Sequence, residues 1–135
     1  MISSGLEDFL RYLRETESMF HANQMAELAA GSETQDLLHY LELCDQDDET
    51  MVSVCKRLKE IRKERRAAKD YILQAGYIVS WIEENRQAIK GLEQLLGQIR
   101  KEERRGENRV FSPRTGAIDR LTREDSDDSD QTQCV

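Results

Sequence analysis

From Met51 to Ile99 apolar residues recur in alternating steps of three and four, and this spacing limits the chain more than any other feature. The stripe runs Met51, Val54, Leu58, Ile61, Arg65, Ala68, Ile72, Ala75, Val79, Ile82, Arg86 and Ile89, with Leu92, Leu96 and Ile99 continuing it at slightly longer spacing. Such a pattern is the seam of a coiled coil, and the later drift toward 3.6 suits a straighter helix. No proline interrupts it before Pro113, and Gly76 is the one plausible break.

A helix this long must bury one face against a partner, and the preceding residues supply one. Leu6, Leu10, Leu13, Phe20, Leu28, Leu38 and Leu41 are the expected inward positions of a first helix, with Ser3 or Ser4 as its cap. Gly31 to Thr34 offers a break or kink there, although the repeat passes through it in phase. Residues 44 to 48 read as the turn, and Asp47 or Asp48 caps the second helix with Glu49 in its first turn. Pairing the helices antiparallel about that turn sets Leu41 opposite Met51, Leu38 opposite Val54, Thr34 opposite Leu58, Phe20 opposite Ile72, Leu13 opposite Val79 and Leu10 opposite Ile82. The polar intruder Arg65 then faces Glu27, the expected remedy for a cation on a seam.

The chain is therefore expected to be all-α: a long antiparallel helical hairpin of two helices, or three if the second ends at Gly76. The helical domain takes residues 1–105, an extended basic segment 106–123 and a disordered acidic tail 124–135. In the same register Leu6 meets Arg86, so residues beyond about 87 outrun the first helix. Their apolar face, Ile89, Leu92, Leu96 and Ile99, needs a further partner, and a second copy in a homo-oligomer is the leading expectation.

Charge is segregated along the chain. The formal net charge of −7 divides into about −10 over residues 1–50, +8 over 51–123 and −5 over 124–135, counting Asp and Glu against Lys and Arg. Successive helices of opposite sign are expected to pair with each other. The densest cationic run, KRLKEIRKERRAAK at 56 to 69, places Lys59, Arg62, Arg66 and Lys69 at i, i+3, i+7 and i+10, one stripe beside the seam. Arginine forks match phosphate oxygens two at a time, so this stripe is the candidate ligand- or partner-binding surface. The ordinary reading comes first, a solvated or internally paired face. A protein partner comes next, then a nucleotide-like anion shared between protomers. Direct nucleic-acid binding is disfavoured by Glu60 and Glu64 within the run and by the lack of interleaved aromatics.

Other chemistry finds little support. His39 has Asp36 and Glu42 three residues to either side, and Glu17 and His21 form an i, i+4 pair, but the second helix has no histidine to complete a metal set. No nucleophile elbow or phosphate-cradling glycine loop is present, and Cys44, Cys55 and Cys134 form no CxxC. An enzyme, a cofactor and a metal are therefore not expected. Tyr71, Tyr77 and Trp81 share a flank and read as core or oligomer contacts before interface anchors. With no basic-then-apolar leader and no run of about 20 apolar residues, the expected compartment is the cytosol.

The runs DLLHYLEL (36 to 43), LKEIRKERRAAKD (58 to 70), LLGQIRKEER (95 to 104) and NRVFSPR (108 to 114) resemble a family of small helical proteins encoded by phages and prophages of Gram-positive bacteria. The resemblance covers roughly residues 5 to 114 and omits the acidic tail. It carries over no catalytic or binding residue. What it implies is a setting in which small non-enzymatic proteins bind a host-defence component or a phage assembly factor.

Overall fold

The computed structural model describes residues 1–125, and side-chain exposure through residue 123. The fold is all-α, with four helices: α1 (Ile2–Leu43), α2 (Asp48–Glu84), α3 (Arg86–Glu107) and α4 (Ala117–Asp125). Helices α1 and α2 pack antiparallel along their length. Residues Met1–Lys101 form one compact unit, and a second begins at Glu102. No described helix is long and apolar enough to cross a membrane.

The hairpin turn lies where acids and an absence of apolar residues predict it. Gln46 donates its side-chain amide to the carbonyls of Cys44 and of Tyr40 (2.6 Å), the latter also accepting from the Cys44 amide at 3.1 Å. Asp47 then caps α2, its carboxylate accepting from the Thr50 amide at 2.8 Å. The Thr50 side chain, and after it the Thr50 amide, lower the Asp47 pKa below its ordinary value by hydrogen bonding. Asp48 and Glu49 follow in the first turn, where the helix dipole favours negative charge. At the other end of the hairpin, α1 begins one residue before the expected serines, and Ser4 donates its hydroxyl to the Met1 carbonyl instead of capping.

Between the helices the seam is built from Leu10, Leu13, Thr16, Ala30 and Thr34 of α1 and from Val54, Ile61, Ala68, Ala75, Val79 and Ile82 of α2, all buried. Thr16 and Thr34 enter this core because each hydroxyl donates to a carbonyl of its own helix, Tyr12 (2.7 Å) and Ala30 (2.8 Å). The expected stripe is buried or half-buried except at Met51 and Arg65 of α2 and Arg86 of α3, which are exposed. In α1, Leu28 and Leu38 lie outside the seam. The phase of alternating threes and fours runs through Glu27, Ala30, Thr34, Leu37 and Leu41, and puts those two leucines one position off.

Gly31 and Gly76 both stay inside continuous helices, and no described glycine has a positive φ. A Cβ built on Gly76 would stand 3.8 Å from the Phe20 ring, an ordinary contact. The actual break is at Asn85, whose φ of −120° and ψ of 29° leave the helical region. Its backbone N–H still reaches the Trp81 carbonyl (3.0 Å), its side-chain amide donates to the same oxygen (2.9 Å), and its own carbonyl accepts from Ile89 (3.0 Å). The chain therefore changes direction without stranding backbone groups, a local alternative that asparagine supplies readily.

This break corrects the expectation that residues past 87 outrun α1. Arg86 reaches Glu17 at 3.0 Å and Arg100 reaches Glu7 at 2.7 Å, tying the portion of α3 within the first unit to the N-terminal half of α1. Within one chain Leu96 is buried and Ile89, Leu92 and Ile99 are half-buried.

In the segment expected to be extended, residues 117–125 instead form α4, which shows Ile118 and Leu121 to solvent. Its first turn is closed by the Arg120 amide to the Gly116 carbonyl at 2.9 Å. Residues 126–135, most of the acidic tail expected to be disordered, lie outside the described residues.

Candidate functional site

Two surfaces of the Met1–Lys101 unit carry chemistry: a cationic hollow on the middle of α2 and an aromatic groove toward the end of the hairpin remote from its turn. Both are defined by how α1 and α2 pair, so the ion pairs between them come first.

Arg57 is the cation most firmly held. Its Nε donates to Glu33 Oε1 at 2.7 Å and its Nη2 to Glu33 Oε2 at 2.9 Å, a bidentate fork across the hairpin. Its Nη1 also lies 3.3 Å from Glu64 and 3.6 Å from Glu60. The hydrogen bond to Glu33 raises the Arg57 pKa further and lowers that of Glu33 below its ordinary value. At Glu7 the Arg100 hydrogen bond has the same lowering effect.

The expected pair was Glu27 with Arg65, and the structure does not form it. Arg65 is exposed, Glu27 is half-buried, and no ion pair joins them among the described residues. Ile61 and Ala68 on either side are buried while Arg65 is exposed, so the long cationic side chain keeps its head in water. Glu33 answers Arg57 instead, about two turns nearer the hairpin loop.

Arg65 consequently joins Arg62, Arg66 and Lys69 around a hollow of about 370 Å³ on the surface of α2. Three of the four stripe residues expected from spacing therefore share one concavity, and the fourth does not. Lys59 lines two neighbouring grooves, one with Leu38, Leu58 and Arg62 (about 350 Å³) and one with Met51, Val52, Cys55 and Lys56 (about 420 Å³). Arg65 was missed as a member because a seam position was assigned to it.

The aromatic groove has a volume of about 340 Å³ and is lined by Phe9, Tyr12 and Leu13 of α1 and Tyr77, Ile78 and Trp81 of α2. Leu13 is buried beneath it, while Phe9 (44% exposed), Tyr12 (53%), Tyr77 (83%) and Trp81 (43%) stand open to solvent. Exposure on this scale is unusual for four neighbouring rings, because burying such side chains is among the largest gains available to a fold. Tyr77 and Trp81 were singled out from sequence, but Tyr71 is half-buried outside the groove. Phe9 and Tyr12 were missed. The signal was available: the expected hairpin register already places residues 9 to 13 across from 79 to 83, with Trp81 among them and Tyr77 one turn before it, so the aromatics of both helices fall together.

The remaining candidates are placed plainly. Asp36, His39 and Glu42 are all exposed on α1, and among the described residues no three histidine, cysteine, aspartate or glutamate side chains gather to hold a metal ion. His21 Nδ1 contacts the Gln24 side chain at 3.3 Å, with its ring edge-on to Phe20. Cys44 and Cys55 are exposed and free.

Comparison with known proteins adds one match. Residues 1–112 match the model of a family described as "Protein of unknown function (DUF4003)". No curated protein and no solved structure matches the chain.

Proposed function

The chain belongs to the DUF4003 family of proteins of unknown function, and from that premise and its own surfaces we propose that it is a non-enzymatic binding protein whose target is another protein. The observation that carries this reading is the aromatic groove. Four exposed rings from two helices surround one concavity, on elements held in register by a bidentate ion pair and a packed seam. Tyrosine and tryptophan in such a setting are the residue types that dominate binding energy at protein interfaces. Exposed Glu15 and Glu84 stand one turn from Tyr12 and Trp81, so the segment that fits presents apolar anchors flanked by bases.

The resemblance to small phage and prophage proteins refines the proposal. The protein acts in the cytosol of a bacterial host, on a host-defence component or a phage assembly factor. Homo-oligomers remain compatible with this function, with the groove left free for the target.

Trp81 is the chain's only tryptophan, so its emission reports directly on the groove. The test compares capture from infected-cell lysate by the wild-type chain and by a Phe9→Ser/Tyr77→Ser variant, then titrates the purified target against Trp81 emission. The reading predicts a blue shift on binding and at least a tenfold loss of affinity in the variant. Capture and affinity that ignore the groove variant would overturn it. So would a wild-type dimer that the variant converts to a monomer, because the groove would then be a self-interface.

A further inference from the structure

The cationic hollow is not explained by the hairpin's own electrostatics. Arg62–Arg65, Arg62–Arg66, Arg65–Lys69 and Arg66–Lys69 all stand at i, i+3 or i, i+4 spacing, where like charges destabilise a helix. The nearby acids do not relieve this. Glu60 and Glu64 face Arg57, which already holds Glu33. Neither stands three or four residues from any of the four cations, and the positions flanking Glu64 on its far side are Ala67 and Ala68. Asp70, four residues after Arg66, is at helical spacing but makes no ion pair among the described residues. Across the hairpin, Glu27 is not in contact and Glu33, Glu17 and Glu7 are engaged elsewhere.

A concavity of about 370 Å³ walled by four cations that make no ion pair among the described residues is within the size range of small-ligand sites. Three of its walls are guanidinium forks, whose donors suit phosphate oxygens two at a time. Its length separates a short anion from a polymer. Arg62 to Lys69 spans about 10 Å of helix at 1.5 Å per residue, with Glu60 before the run, Glu64 within it and Asp70 after it. A nucleic-acid strand would need aromatic faces to stack on, and none of the lining residues is aromatic.

We propose that Arg62, Arg65, Arg66 and Lys69 form a binding site for a short oligophosphate, whether inorganic or the phosphate chain of a nucleotide. This site is separate from the aromatic groove, and its failure leaves the protein-binding proposal intact.

The test is calorimetric titration of the full-length chain with sodium tripolyphosphate, ATP, monophosphate and a single-stranded oligonucleotide at matched ionic strength. Saturable binding of tripolyphosphate is expected, with monophosphate at least tenfold weaker. An Arg62→Ala/Arg66→Ala variant with unchanged helical circular dichroism should lose at least tenfold in affinity, whereas Arg109→Ala should lose less than twofold. Equal affinity for tripolyphosphate and ATP would identify the phosphate chain alone as the ligand, and tighter ATP binding would identify a nucleotide; both support the site. No saturable tripolyphosphate binding, binding indifferent to the Arg62/Arg66 variant, or an oligonucleotide preferred tenfold over tripolyphosphate would overturn it.

Discussion

Ile82→Ala and Leu28→Ala make a paired test of which residues form the seam. Ile82 is the most buried core side chain described, 2% exposed, in the last turn of α2 before the break at Asn85. Truncation to alanine removes its γ and δ carbons, worth about 2.4 kcal/mol at about 0.8 kcal/mol per buried carbon. The cavity left behind adds to this, although a two-layer seam relaxes more readily than a deep core, so the total is about 3 kcal/mol. For a unit of this size that corresponds to a fall in Tm of about 12–20 °C. Leu28 carries as much apolar bulk but is 67% exposed, and its truncation costs less than about 0.5 kcal/mol. Urea unfolding followed by helical circular dichroism measures both. A loss above about 1.5 kcal/mol for Leu28→Ala, or below about 1 kcal/mol for Ile82→Ala, would refute the seam phase.

Two further predictions follow from local geometry. Gly31 and Gly76 lie within continuous helices with room for a methyl group, so Gly31→Ala and Gly76→Ala should each stabilise by about 1 kcal/mol in the same unfolding assay. The folded-state pKa values of Glu7, Glu33 and Asp47 are all lowered by hydrogen bonds from Arg100, Arg57 and Thr50. Their contribution is therefore fully present above the ordinary carboxylate values of 4.5 and 3.8 and is lost as pH falls below them. Arg57→Gln should flatten the acid limb of the stability profile, and an unchanged limb would contradict the assigned pair.

Much of this fold was legible because α2 obeys a single rule. From Val54 to Ile82 nearly every seam position carries an apolar residue, and the acidic turn with its Asp47 cap marks where the chain reverses. Helix α1 was harder to read because its seam passes through Thr16, Glu27, Ala30 and Thr34, where leucines at 28 and 38 attract attention one position out of phase. The break at Asn85 was invisible to a search for glycine and proline, since an asparagine that keeps its hydrogen bonds bends a helix without either. The ion pairs were misassigned for a related reason. Seam arithmetic places Cα atoms, whereas a long arginine chooses among acids a full turn away. Phe9 and Tyr12 escaped notice because each helix was read alone, and the groove exists only where two helices meet.

The central claim is that the acids of α1 hold Arg57, Arg86 and Arg100 and leave the hollow of α2 unpaired. Parallel double-mutant cycles on Glu33/Arg57 and Glu27/Arg65, each using glutamine substitutions and urea unfolding at neutral pH, test it most directly. The account predicts clear non-additivity at Glu33/Arg57, with the double variant losing less than the sum of the singles, and additivity at Glu27/Arg65. Coupling at Glu27/Arg65 with none at Glu33/Arg57 would contradict it, and would return Arg65 from the hollow to the seam.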